Sequence, residues 1–208
     1  MNLASHILET TNTHLLVKHS AHHSSSETMF FNNSVTLQLS LYQTSRTIKK
    51  NDMNIKAELT IEKPIGEVWE TMGNQFADVH KWSSNFKESK PGGPQKFEEI
   101  NYSLRETITD RGITIQVLET FDPKNFILKY YITEGLPEIA KSAHSTWFLQ
   151  QISVNKTLVV MDFELQPKAP LNDVMASQIE MGLKASTRVL AEELKYFMEN
   201  GKPHPNNN

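Results

Sequence analysis

The chain contains no cysteine. That absence excludes a disulfide framework, a thiolate nucleophile, and any zinc or iron–sulfur site built on thiolates, and it leaves the redox compartment unreadable. Long apolar runs are missing too. None approaches the roughly 20 residues needed to span a bilayer, and the expectation is a soluble, cytoplasmic protein with no integral membrane segment. An excess of basic charge is also absent: Lys and Arg number 21 against 24 Asp and Glu, a net of −3. A nucleic-acid partner is therefore not expected. No Gly-rich phosphate loop, zinc-binding helix pattern or nucleophile elbow occurs, which weakens every standard enzyme class. What is present is 208 residues, 38% hydrophobic and 22% charged. That is the composition of a globular chain, long enough for one domain with an appendage.

Two regions differ in texture. Residues 1–52 are rich in Ser, Thr, Asn and His, carry five of the eight histidines, and show no sustained period of 3.6 or 2. They read as a disordered extension. Neither a secretory signal nor an Arg-rich transit peptide is legible there, since Arg46 is the only arginine before residue 53. His19, His22 and His23 cluster without a carboxylate or thiolate at site-like spacing, so they read as solvated tail and not as a metal site. Residues 53–208 hold 17 Lys and Arg against 21 Asp and Glu, whereas the first 52 hold four against three. The patterned part is the acidic part.

From Met53 onward the period is informative. Ile55, Ala57, Leu59 and Ile61 alternate with polar residues as in a strand with one buried face. Pro64 stands at a plausible first helical position, and Ile65, Val68, Trp69 and Met72 follow at helical spacing until Gly73-Asn74. Phe76, Val79, Trp82 and Phe86 suggest a second short helix, and the Pro91-Gly92-Gly93-Pro94 cluster reads as a loop.

A meander of antiparallel strands comes next. Its register is tested by hairpin arithmetic. A two-residue turn at Arg111-Gly112 puts Ile100, Tyr102, Leu104 and Ile108 on one face with Ile113, Ile115, Val117 and Phe121. A turn over Asp122-Pro123-Lys124-Asn125 adds Phe126, Leu128, Tyr130 and Ile132, and a turn at Asn155-Lys156 aligns Phe148, Gln150 and Ile152 with Val159, Met161, Phe163 and Leu165. After the breaker between Pro167 and Pro170, residues 171–200 form the longest helical segment, stopped by Gly201 and Pro203. Residues 201–208 read as a disordered tail. The helix carries a stripe of Met175, Ile179, Gly182, Leu183, Ser186, Leu190, Leu194 and Phe197. Gly182 in mid-helix costs about 1 kcal/mol relative to Ala, which a close approach of another group to that face would explain.

The order of strand, two short helices, meander and long C-terminal helix resembles the START-like, or SRPBCC, superfamily, which includes polyketide cyclases and lipid-transfer domains. The residues that carry the likeness are the run from Ile61 to Trp69, the segment from Phe76 to Trp82, the strand end from Val117 to Asp122, and Tyr130-Tyr131-Ile132. They are fold markers and not a catalytic signature. The resemblance covers residues 53–200. It implies an α+β, helix-grip fold: a curved antiparallel sheet wrapped around the long C-terminal helix, with a cavity between them for an apolar or amphipathic small molecule.

On that implied fold, the inner-face parity predicts a wall of Tyr102, Leu104, Val117, Tyr130, Phe148, Met161 and Phe163 from strands, with Met175, Ile179, Gly182 and Ser186 from the helix. Each is also readable as plain core. Glu106, Glu119 and Gln150 share the inner parity, and a buried carboxylate must find a partner, reach the rim or become protonated. Glu106 and Glu119 come out as diagonal neighbours, and His144 falls near the predicted cavity mouth. The expected function is binding or transport of a small hydrophobic ligand by a monomer or homodimer, without a cofactor or metal. The alternative is a cyclase or dehydratase of the polyketide type, with Glu119, Glu106 or His144 moving protons. A lesser alternative is a protein-interaction module acting through its outer surface.

Overall fold

The computed structural model describes residues 52–205. The expectations for residues 1–51 and 206–208, the histidine cluster included, lie outside the described residues. The domain opens with β1 (Met53–Ile61), followed by α1 (Ile65–Trp69), which continues as a π turn through Glu70–Asn74, and by a 3-10 segment (Phe76–Lys81). Six strands come next: β2 (Glu88–Gly92), β3 (Leu104–Thr109), β4 (Gly112–Asp122), β5 (Ile127–Glu134), β6 (Ala140–Ser153) and β7 (Lys156–Pro167). The long helix α2 (Asp173–Asn200) ends the domain. The strands form one curved antiparallel sheet in the order β1-β7-β6-β5-β4-β3-β2. Its inner face receives α1, the 3-10 segment and the C-terminal half of α2 around one core that includes Ile61, Trp69, Phe76, Leu118, Leu149, Met161 and Leu194.

The ends of α2 are set by local chemistry. The Asn172 side chain accepts the Met175 N–H at 2.9 Å as an N-cap, and Gly201 closes the helix in the left-handed region at φ 67°. At the other short elements the sequence expectations need correction. Pro64 is the residue before α1, not inside it. Gly73 does not break the helix but belongs to the π turn, where a Cβ would lie 2.6 Å from the Trp69 indole. Pro91 and Gly92 belong to β2, an edge strand, where a missing N–H is tolerated.

The strand register also departs from the arithmetic, for one physical reason. Bulges insert an extra residue and reverse the alternation beyond it. Glu119 is extra between Leu118 and Thr120 against β5, and Ile152 is extra between Gln151 and Ser153 against β7. Phe121 therefore faces inward as predicted, but upstream of the bulge Leu118 and Gln116 face inward and not Val117 and Ile115. Through Leu104↔Val117 and Arg105↔Gln116 the reversal passes to β3, whose inner residues are Arg105 and Thr107. In β6 the inner residues are Ser145, Trp147 and Leu149. The tight turns lie at Asp110-Arg111 and Val154-Asn155, one residue earlier than predicted.

Candidate functional site

Beneath the 3-10 segment the inner face of the sheet is polar, and it holds that segment by hydrogen bonds. Tyr102 donates its hydroxyl to the Asn74 carbonyl at 3.2 Å and accepts the Ala77 N–H at 3.1 Å, tying the end of the π turn to the start of the 3-10 segment. Burial raises the Tyr102 pKa, with the Ala77 N–H opposing. Ser89 of β2 donates to the Ala77 carbonyl and lies 2.7 Å from His80 Nδ1. Glu193, a carboxylate only 2% exposed on α2, accepts the Ser84 N–H at 2.9 Å and the Ser84 hydroxyl. It clips the following loop to the helix.

Arg105 stands at the centre of this arrangement. Its side chain is 5% exposed. Nε donates to Gln116 Oε1 at 2.7 Å and Nη1 to the Phe76 carbonyl at 2.6 Å. The guanidinium lies 3.9 Å from the centroid of the Phe76 ring and 5.2 Å from that of Tyr130. Among the described residues no carboxylate pairs with it. Burial lowers its pKa to about 10, with the neighbouring Tyr130 and Tyr102 opposing, which leaves it charged at neutral pH.

Arg105 also lines a cleft between the sheet and the helices, together with Met72, Phe76, Val79 and Trp82 from the helical segments, Leu128, Tyr130 and Trp147 from β5 and β6, and Leu190 from α2. Trp82 and Trp147 meet edge-on with centroids 6.4 Å apart. The cleft leaves about 10 Å3 of space for water centres, on the order of one water molecule. Large aromatic side chains fill the rest of the interior, so a larger guest requires side chains to move.

Comparison with solved structures bears on this architecture. A START superfamily protein from Mycobacterium smegmatis superposes with a TM-score of 0.59 at 12% identity, over 72% of this chain and 99% of the other. The fold is START-like. Other solved proteins share this START-like fold. One from Nitrosospira multiformis has a TM-score of 0.57 at 15% identity, covering 72% of this chain and 98% of its own. The protein XoxI from Bacillus cereus has 0.56 at 19%, covering 71% and 96%. No family profile and no curated protein matches the sequence.

Within the START-like frame the predicted wall residues separate into groups. Tyr130 lines the cleft, while Tyr102 and Met161 are buried in the same core. Phe163 and Ile179 pack in a second, smaller cluster with Met53, Ala140 and Leu165. Leu104, Val117, Phe148 and Gln150 fall on the outer face, a consequence of the two bulges. Met175, Gly182 and Ser186 lie on the exposed side of α2, and among the described residues nothing lies within 4 Å of a Cβ built at Gly182. No close approach by a described residue accounts for that glycine.

The predicted acid–base residues are also on the outer face. Glu106 pairs with Lys90 at 2.8 Å. Glu119 pairs with Lys129 at 3.0 Å and with His144 Nδ1 at 3.2 Å. The two carboxylates thus have separate partners and are not coupled. Burial alone would raise the Glu119 carboxyl, but Lys129 and His144 together outweigh it and hold the group below its ordinary value. His144 sits within β6, opposite Tyr131 and Glu164. Arg105, Phe76, Trp82 and Trp147 were not among the predicted site residues. Counting Glu106 on the inner parity leaves its neighbour Arg105 on the other, whereas in the structure Arg105 is the inward residue. The usable signal was Trp147 with Leu149 and Ala143, an apolar set on the parity opposite to Phe148 and Gln150.

Proposed function

We propose that this protein binds one small apolar or amphipathic molecule between the sheet and α2, in the cleft under Trp82 and Leu190, and releases it unchanged. The observation that carries this reading is the cleft lining: apolar and aromatic side chains from four separate parts of the fold converge there with Arg105 and Tyr130 as the polar groups. Binding sites for small molecules combine an apolar wall with few, well-placed polar groups in this way. A START-like frame, in which a sheet grips a helix, is consistent with such a site. The present space is far smaller than the roughly 300 Å3 at which such pockets begin, so binding must be coupled to outward movement of lining side chains. Leu190, the half-buried lining residue on α2, is the member with most freedom to move. A cyclase or dehydratase reading lacks support in the geometry, because Glu106, Glu119 and His144 lie across the sheet from the cleft.

The test is native mass spectrometry of the full chain, followed by solvent extraction, together with titration of the neutral fluorophore N-phenyl-1-naphthylamine. A retained small molecule, or saturable one-to-one binding of the fluorophore, is expected. The absence of both refutes the proposal.

A further inference from the structure

The position of Arg105 narrows the chemistry of the guest, and the narrowing rests on the binding function proposed for the cleft. We infer that the ligand is a carboxylic acid with an apolar body, and that its carboxylate pairs with the Arg105 guanidinium at the floor of the cleft.

The charge balance of the interior leads to this assignment. Arg105 is 5% exposed, yet its hydrogen-bond partners, Gln116 Oε1, the Phe76 carbonyl and the Tyr130 side chain, are all neutral. No described carboxylate lies within ion-pair distance. A buried charge without a counter-charge is costly. If Arg105 served only to tie the 3-10 segment to the sheet, neutral donors would make the same bonds without that cost. A guanidinium has more N–H groups than these partners occupy, and its fork matches a carboxylate. The other cleft residues are predominantly apolar or aromatic. The space open in the cleft that Arg105 lines is about 10 Å3, on the order of one water. The apolar body would then extend past Trp82 and Trp147 toward Leu190.

The experiment uses the full chain and a matched pair of probes, 2-naphthylacetate and its methyl ester, titrated at neutral pH with tryptophan fluorescence or calorimetry as the readout. Trp82 and Trp147 line the cleft, so its occupation should alter the emission. The acid should bind at least about tenfold more tightly than the ester, as expected for a charge-assisted pair sheltered from water. In Arg105→Gln the ratio of acid to ester affinity should fall to about one, whatever the change in ester binding itself. Arg105→Lys, which keeps the charge, should retain part of the acid's advantage. Equal binding of acid and ester by the unmodified protein overturns the inference and leaves the binding function standing, and that comparison requires no variant to fold. Persistence of the acid preference in Arg105→Gln overturns it as well. Binding of neither probe overturns the inference, and the binding function then stands or falls on the retained molecule and the N-phenyl-1-naphthylamine titration.

Discussion

Tyr102→Phe isolates one hydroxyl whose loss can be worked out from its surroundings. The ring stays, so no cavity forms and the change is confined to hydrogen bonding. The hydroxyl accepts from the Ala77 N–H, on a residue 4% exposed, and donates to the Asn74 carbonyl, on an exposed residue. Water can replace the second bond but has little access to the first. A buried donor left unpaired costs about 1–3 kcal/mol, and the exchanged bond adds on the order of 0.5 kcal/mol. Removing a hydroxyl that is itself desolvated offsets part of this. The expected loss is about 1–3 kcal/mol, which in a domain of this size lowers Tm by roughly 2–4 °C per kcal/mol. Urea denaturation followed by tryptophan fluorescence should show a lower midpoint at unchanged m, with faster amide exchange at Ala77. A midpoint within error of the unmodified protein would refute the reasoning. It would mean that the 3-10 segment is held by Ser89 and Arg105 without help from Tyr102.

Three further perturbations test the fold that positions the cleft. Gly73→Ala places a methyl group within 2.6 Å of the Trp69 ring; the forced shift of the indole should cost about 1–3 kcal/mol and alter the tryptophan emission in the native state. Leu194→Ala removes a fully buried side chain from α2 and should cost about 2–5 kcal/mol, measured by the same urea transition. Glu199 accepts the Glu62 N–H at 3.0 Å and pairs with Lys195 at 2.5 Å, joining the end of β1 to α2. Burial would raise its carboxyl, but Lys195 and the Glu62 N–H lower it overall. A carboxyl with a depressed folded pKa contributes stability above its unfolded value and loses it as pH falls through the folded one. The protein should therefore weaken as pH falls through and below the ordinary glutamate range, and Glu199→Gln should flatten part of that loss.

The sequence carried the architecture well because its signals were local. Alternation in β1, turn residues at 122–125 and the Gly201 stop of α2 each state an element without reference to the rest of the chain. Inner and outer faces depend instead on counting across strands, and a single extra residue reverses everything beyond it. Glu119 and Ile152 carry no marker that sets them apart as bulge residues, so β3, upstream β4 and β6 were assigned to the wrong face. The error was reinforced at β3 and β4, where Arg105, Thr107, Gln116 and Thr114 make the inner face polar while Leu104, Ile115 and Val117 face out. The cleft was hidden for the same reason. Its one charged residue was on a face that hydrophobic patterning marks as solvent-exposed. On α2 Ile179, Leu183, Leu190, Leu194 and Phe197 of the predicted stripe are sheltered, as is Ala176, while Met175, Gly182 and Ser186 are exposed.

The most direct test of a guest held between sheet and helix is to fill its place. Leu190→Trp puts an indole at the α2 side of the cleft, where Leu190 is only half-buried and the larger ring can be accommodated without disrupting the fully buried core. Titration with N-phenyl-1-naphthylamine, read by energy transfer from tryptophan, should give saturable binding for the unmodified protein and at least about tenfold weaker binding for the variant, at closely similar thermal stability. Equal affinity in the two proteins would place any binding elsewhere and contradict the account.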